Sequence, residues 1–569
     1  MRRYLTQKAL PLLLAGCLLL GLAACGGKAA SDAPAGTVPT ITFYPSAANL
    51  SSGVVGGYKG DYFASRGFAL DVWAYSDEKT NAILASGDLP DVLFIPAQSL
   101  DTMIESGMLL NLDEYLDRMP HLQAYPPMET ALNYIRRYKS AGTGGVYGLT
   151  TGVGEDFTAC KTMDSTERNA LKIRWEVYEE IGAPAIENTD DLLDVMAAML
   201  AAHPTEADGS PAYGTVLNNG SDTNYWACMT MWYRMQGYQE IELPYLLECN
   251  MAAGTATSIL AENSMYYRGL RWYNAAYRRG LLDPDSINND RLVQMDKVKS
   301  GHTMVPSGYL AGWAPTYYEY LLPGTKVYYR SEQVYGDPRF MIGISAGTEN
   351  LDACLAYLDM LCDPDAYLTV TSGPEGEFWQ TDAAGNAFFT DAGLAHLKTA
   401  EMGDFTGFAL ADGEKLDLWN TPWVIGDGAA TGYGDGKGGR RVARSTAWSE
   451  NNAIGAGNES FHQWQKTTGH ESWKEWLAAE DALVTDSPLS DIRNFESLPG
   501  ESMQGTVNAL CDTVTTASWR MVYAADDAEF DALWAAMTAD CEGLGAQAVI
   551  DWRLADIEQA KQTRDSLMG

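Results

Sequence analysis

Between residues 40 and 96 the chain switches its hydrophobic period from two to helical and back, twice over. TITFY (40–44) alternates apolar and polar residues, and FALDVWAY (68–75) does so again. YKGDYFASRG (58–67) reads as a helix closed by Gly67, and SDEKTNAILASG (76–87) as a helix opened by Ser76 and closed by Gly87. DVLFIP (91–96) is a continuous apolar run bounded by prolines, the mark of a strand covered on both faces. Strand, helix, strand, helix, strand in this order demands a parallel sheet with right-handed crossovers. Ligands of such sheets gather beyond the carboxyl ends of the strands.

Downstream the signals are mostly helical. TDDLLDVMAAMLAAH (189–203) has a Thr or Asp cap and helical spacing, and SMYYRGLRWYNAAYRRG (264–280) ends at Gly280. RFMIGIS (339–345) returns as a strand, followed by a helix from Asn350 stopped by Pro364, and further helices close the chain. GDGAATGYGDGKGGRR (426–441) reads as a Gly-rich loop. At 569 residues the chain exceeds one ordinary core, so two lobes are expected.

The amino terminus carries Arg2, Arg3 and Lys8, then an apolar run broken by Pro11 and two glycines, then Leu22-Ala23-Ala24-Cys25. The run is short of the roughly 20 residues a membrane span needs, and its layout is that of a secretory leader. LAAC closely resembles a bacterial lipobox, which implies that residues 1–24 are removed and Cys25 carries the anchoring acyl chains. An ordinary leader followed by a chance cysteine is the alternative. Residues 25–37 then form the lipidated start of a flexible polar tether, and 38–569 the folded part.

A formal charge of −36 becomes more negative once the basic leader is gone, which argues against nucleic-acid partners. Beyond Cys17 and Cys25 an odd set of cysteines remains: Cys160, Cys228, Cys249, Cys354, Cys362, Cys511 and Cys541. None has CxxC spacing, and Cys354 and Cys362 stand about 12 Å apart on one helix by its rise, too far to bridge. Cys228 with Cys249 is the one local pair to test; the others read as small buried hydrophobes. No metal site or cofactor is expected.

ILASGDLPDVLFIP (83–96), IESGMLLNLDEYL (104–116), GGVYGLT (144–150), KIRWEVYEEIGAPAIENTDDLL (172–193), GLLDPDS (280–286), TENLDACLAYLDMLCDPD (348–365) and GPEGEFWQTDAAGNAFFTDAG (373–393) follow one another in a set order. Together they resemble family 1 of the extracellular solute-binding proteins, the sugar receptors of ATP-driven (ABC) importers, in its lipoprotein-type Gram-positive branch. Two residues depart from the family pattern: Glu176 stands where relatives often have Asp, and Thr150 where Pro is usual.

The resemblance implies a two-lobed α/β fold of the periplasmic-binding-protein type II class, hinged around an interlobe cleft. Lobe 1 is expected over about 38–150 plus 285–345, and lobe 2 over about 151–284 plus 346–569. It also implies a monomeric, non-enzymatic receptor held at the outer membrane face by lipid. Its partners would be an oligosaccharide and the importer's permease subunits.

A sugar receptor needs aromatic faces and planar polar groups, and 16 Trp and 31 Tyr against 14 Phe supply rings with a polar handle. Tyr44 and Gln98, at the ends of expected strands, and Trp226, Trp313, Trp379 and Trp423, beside turn residues, are the candidate ligand contacts. Trp313, among glycines and a proline, is the strongest single candidate, although each Trp also fits a packing role. For Asp88 and Asp91 in GDLPD the functional reading is a cleft carboxylate, and the favoured one is that Asp88 and Pro90 shape the turn into the next strand. Glu375 and Glu377 are further possible hydroxyl acceptors. A peptide or amino-acid receptor is the main alternative. A glycoside hydrolase would need a carboxylate pair that no spacing singles out, and a static surface lipoprotein would ordinarily show repeats.

Overall fold

The three strands anticipated between residues 40 and 96 form the centre of a six-stranded sheet ordered Gly53–Val54, Ala69–Val72, Thr40–Tyr44, Val92–Pro96, Asp337–Ile344, Leu149–Thr151. The computed structural model describes residues 38–45, 52–153, 170–219, 229–239, 242–307, 317–328, 334–363, 366, 369–370, 374–381, 387–393 and 459–568. Thr40–Tyr44 runs parallel to both Ala69–Val72 and Val92–Pro96. Ile41, Phe43, Leu70 and Val92 have no exposed surface. Burying a side chain of this size is worth about 1.5–3 kcal/mol, and the alternation places these residues on covered faces.

The intervening helices form where their end signals stand. Gly57–Ser65 is followed by Gly67 at φ +95°, and Asp77–Ser86 is capped by Ser76, whose hydroxyl accepts from Lys79 N–H. Asp91 ties the sheet rather than facing a ligand. One of its oxygens accepts from the Thr42 backbone N–H and hydroxyl, each at 2.8 Å, and the other accepts from the Thr348 hydroxyl at 2.7 Å.

Asp337–Ile344 runs antiparallel to Val92–Pro96, with Ile344 opposite Val92 and Phe340 opposite Pro96. The helix Leu351–Met360 follows it and packs Tyr357 edge-on against Phe43 and Phe68. This smaller core draws on residues 41–153 and 335–370. A larger core draws on residues 171–322 and 464–560. It contains the antiparallel pair Leu171–Arg174 and Tyr317–Tyr320 and the helices Thr189–Ala202, Met265–Arg278, Glu501–Val522, Asp527–Gly543 and Ala546–Met568. Ser264 caps the second of these helices by accepting from Tyr267 N–H, as its sequence suggested. The first is capped by Asn188, one residue before the expected Thr.

Two segments join the opposite core from the expected one. Met304, Val305 and Leu322 belong to the larger core, and Cys354, Tyr357 and Leu361 to the smaller. The physical reason is the antiparallel strand at 337–344. It enters the sheet from the crossing segment, so the helix after it stays beneath that sheet while the segment before it, through Leu322, remains with Leu171–Arg174.

Cys249, Cys354, Cys362, Cys511 and Cys541 are buried free thiols. Burial pushes the Cys354 and Cys511 thiols up to about 12. Cys25, Cys160 and Cys228 lie outside the described residues, as do the leader, the tether and the loop 426–441. Among the described residues no helix is long and apolar enough to cross a membrane.

Candidate functional site

The three parallel strands end at one edge of the sheet. Asp337–Ile344 begins there, and Asp337 pairs with Thr151. Tyr44 stands at that edge but is buried, only 3% exposed. Its hydroxyl donates to the Ser76 carbonyl at 2.9 Å and lies 2.8 Å from the Thr80 hydroxyl, so it fastens the next helix instead of facing solvent. Gln98 is exposed on the short 3₁₀ turn Ala97–Ser99.

Two aromatic residues that the sequence reading passed over occupy this edge. Trp73 and Tyr75 are half-buried, with the Lys79 ammonium 4.6 Å from the Trp73 ring centroid and the Tyr75 ring 5.7 Å from Tyr44. The signal was present in FALDVWAY. Pairing in the central sheet stops at Val72, so its last three residues are a loop at the strand's carboxyl end.

The chain passes between cores after Val153, between Leu322 and Tyr335, and between Val370 and Trp464. The junction is tightly built. Thr150, the departure from the family pattern, donates its hydroxyl to the Tyr335 carbonyl at 2.8 Å. Gly336 sits at φ +71°, and a Cβ there would lie 2.6 Å from the Thr150 hydroxyl and 2.7 Å from the Thr151 carbonyl. Asn494 donates to the Gly336 carbonyl at 2.9 Å, and its own carbonyl accepts from Tyr134 at 2.6 Å. Phe495 packs against both cores and meets the rings of Tyr134, Tyr138 and Tyr335 edge-on.

Against this junction, on the side of the larger lobe, lies a cavity of about 270 Å³. Tyr238, Tyr320, Tyr328 and Trp473 contribute ring surface, and Gln239 and Asn494 neutral amides. Arg234, Lys326, Arg493 and Asp491 bring charge. Trp473 is 2% exposed, and its indole N–H finds no acceptor among the described residues. Asp491 holds a left-handed φ of +58°, a conformation Asp tolerates and one that often marks a functional position. Gly237 is required by close approach, since a Cβ at its φ of +77° would lie 2.6 Å from the Lys326 carbonyl.

Behind the junction a buried ionic network grips the segment through Phe495. Arg553 bonds Glu242 at 2.6 Å, Glu496 at 2.5 Å and Asp556 at 2.8 Å, with Tyr245 under its guanidinium at 4.4 Å. Burial, reinforced by the like charge of Glu242, holds the Glu496 carboxyl up at about 7 despite Arg553. Arg564 adds bonds to the carbonyls of Ser487, Pro488 and Ser490.

Of the other candidates, Trp379 is 1% exposed in the hairpin pair Trp379–Thr381 and Ala387–Phe389, a packing position. Trp226, Trp313 and Trp423 lie outside the described residues. Glu375 is exposed and Glu377 half-buried. Among the described residues no group of three His, Cys, Asp or Glu side chains is placed to hold a metal. The site thus combines ring faces, amide groups and mixed charge at a junction between two cores. That chemistry suits reversible capture of a polar ligand.

No protein-family model matches this sequence, and no curated protein does. Solved structures do. An extracellular solute-binding protein from Bifidobacterium longum subsp. infantis superposes with a TM-score of 0.58 at 15% identity, over 92% of this chain and 99% of that one. A human-milk-oligosaccharide (HMO) binding, ABC-transporter-associated solute-binding protein from Bifidobacterium longum infantis gives 0.56 at 15% identity, over 92% and 98%. The S. pneumoniae ABC-transporter substrate-binding protein FusA, an EF-hand mutant in complex with fructo-nystose, gives 0.57 at 14%, over 93% and 100%. At these identities the likeness establishes the fold, a two-lobed α/β architecture of the periplasmic-binding-protein kind.

Proposed function

We propose that this chain is the solute receptor of an ATP-driven importer, capturing an oligosaccharide between its lobes and delivering it to a permease pair. The observation that carries this reading is the junction. Two cores meet at short crossing segments beside a cavity walled by Tyr and Trp rings and amide groups. Rings stack on the apolar faces of sugars, amides bond hydroxyls, and a hinge lets ligand affinity select the closed form. Structural neighbours described as HMO-binding and as a complex with fructo-nystose support the same class.

The receptor binds without covalent chemistry or cofactor and works as a monomer. Cys25 carries the lipid that keeps it at the outer membrane face, and residues 26–37 are the tether. Two or more acyl chains give stable anchoring where one is marginal.

The test is a thermal-shift screen of residues 38–569 against oligosaccharides, amino acids and short peptides. One-site binding at a hundred times the dissociation constant adds about 2.7 kcal/mol of apparent stability. A shift with one saccharide series, the sugar recovered unchanged, is the expected result. Cleaved sugar would replace the receptor with a hydrolase, and a response only to peptides would keep transport and overturn the sugar.

A further inference from the structure

The edge at which the parallel strands of the six-stranded sheet end is stepped. Phe43 pairs with Val72 on one side and Val92 on the other, and Ala69–Val72 and Thr40–Tyr44 both stop within one residue of that level. Val92–Pro96, paired with its antiparallel neighbour, runs on three residues past Leu93, about 10 Å at strand rise. The lower side of the step carries Trp73, Ala74 and Tyr75, and the taller side ends in the turn that exposes Gln98. Ligands of parallel sheets gather beyond such strand ends.

The half-buried Trp73 ring is fixed before any ligand arrives. Its backbone N–H donates to the Phe43 carbonyl at 2.9 Å, and the Lys79 ammonium stands 4.6 Å from its ring centroid and 5.7 Å from that of Tyr44. The Ser76 hydroxyl places Lys79 by accepting its backbone N–H, and Tyr44 is fastened to the same helix through Ser76 and Thr80. A side chain ordered in this way has little entropy left to lose on binding. Among the described residues, neither the Trp73 indole N–H nor the Gln98 side-chain amide has a hydrogen-bond partner.

We propose that this step is a sugar subsite of the smaller lobe, where one neutral sugar ring stacks on Trp73 and its hydroxyls bond Lys79 and the Gln98 amide. The inference rests on the receptor reading and adds to the junction cavity a second contact surface. An indole face takes the apolar side of a sugar ring, and an ammonium with three donors can serve a hydroxyl while it lies over an aromatic ring. Anionic ligands fit poorly. Lys79 brings a single charge, and Glu78, exposed just before it on the helix, opposes an anion. Arg339, where the antiparallel strand enters, is engaged through two of its nitrogens with Asp337.

Residues 38–569 hold both cores and are the material for the test. Titration calorimetry is run with neutral gluco-, galacto- and fructo-oligosaccharides of two to six units and with oligogalacturonates of matching length. At least one neutral series should bind more tightly than the uronates. Trp73→Leu keeps apolar bulk but removes the flat ring, and should weaken that binding about tenfold. Gln98→Ala, at an exposed position, should weaken it about fivefold. Because Trp73 is half-buried, a second readout avoids any loss of stability in the variant. In protein labelled with 5-fluorotryptophan, the fluorine resonance that is missing from Trp73→Phe should move as the neutral sugar is added.

Saccharide binding that leaves the Trp73 resonance unmoved would overturn the subsite while leaving the receptor intact. So would wild-type affinity in both Trp73→Leu and Gln98→Ala, or a preference for oligogalacturonates over every neutral series. Failure of every saccharide would overturn the receptor reading and this inference with it.

Discussion

The two cores differ in how far one cation gathers their carboxylates. In the smaller lobe, carboxylates serve the backbone and single cations, as Asp363 does in meeting Arg66 at 2.9 Å. Asp91 bonds Thr42 and Thr348, and Asp359 accepts the N–H groups of His121 and Leu122 as well as bonding the His121 ring at 2.7 Å. In the larger lobe Glu248 likewise accepts the Met265 and Tyr266 N–H groups, but Lys172 pairs with Glu319 at 2.8 Å, and one guanidinium, Arg553, gathers Glu242 and Glu496. The first arrangement spreads a small cost over several hydrogen bonds. The second concentrates it on one guanidinium whose loss strands buried anions. The larger core is thereby bolted at the junction by charge, and the sheet of the smaller core is held by ordinary hydrogen bonds.

The largest effect should come from Arg553→Met. With Glu242 wholly buried and Glu496 nearly so, about 3–5 kcal/mol should be lost, and hydrogen exchange should place the loss in the larger core. If both cores lost protection together, the contrast drawn here would fail, because the chain would unfold as one unit. Asp91→Ala should cost about 2–3 kcal/mol by leaving the Thr42 N–H and two hydroxyls without their acceptor, with exchange rising first in the smaller core.

Gly336→Ala belongs to neither core. Its positive φ and the approach to Thr150 and Thr151 should cost about 2 kcal/mol in denaturant unfolding, together with a change in ligand-driven closure measured by a distance probe across the lobes.

The smallest effect is a pH dependence. The folded state holds the Glu496 proton more tightly than the unfolded chain, so this group's contribution to stability is full below about 4.5 and declines as pH rises to about 7. Melting curves of wild type and Glu496→Gln across that window should differ in slope, with the variant flatter. Identical slopes would remove Glu496 from the account.

The three parallel strands of the smaller lobe were legible because they, their helices and their end signals lie within one run, residues 40–96. Ser76, Gly67 and Gly87 mark their elements locally, and the alternation of Ile41 and Phe43 reports burial directly. The junction was not legible, because its cavity is assembled from residues near 171, 238, 325, 473 and 492, which share no local pattern. Tyr44 shows the limit of reasoning from strand ends. The position at the sheet edge was right, but the hydroxyl was taken by Ser76 and Thr80, and the exposed role passed to the loop that carries Trp73 and Tyr75. Trp379 sits beside turn residues and is nonetheless packed, since a ring next to a turn reports neither face nor depth.

The grip of the helix Ala546–Met568 on the residues around Glu496 has a consequence for biogenesis. A chain that emerges from its amino terminus can complete the smaller core once residue 370 is out, but its junction must wait for Arg553 and Arg564. Until then Glu242 and Glu496 lack the Arg553 guanidinium that bonds them both. During synthesis the chain therefore passes through a stage in which one lobe is folded while the other, still unbolted, is the part exposed to proteases and in need of chaperones.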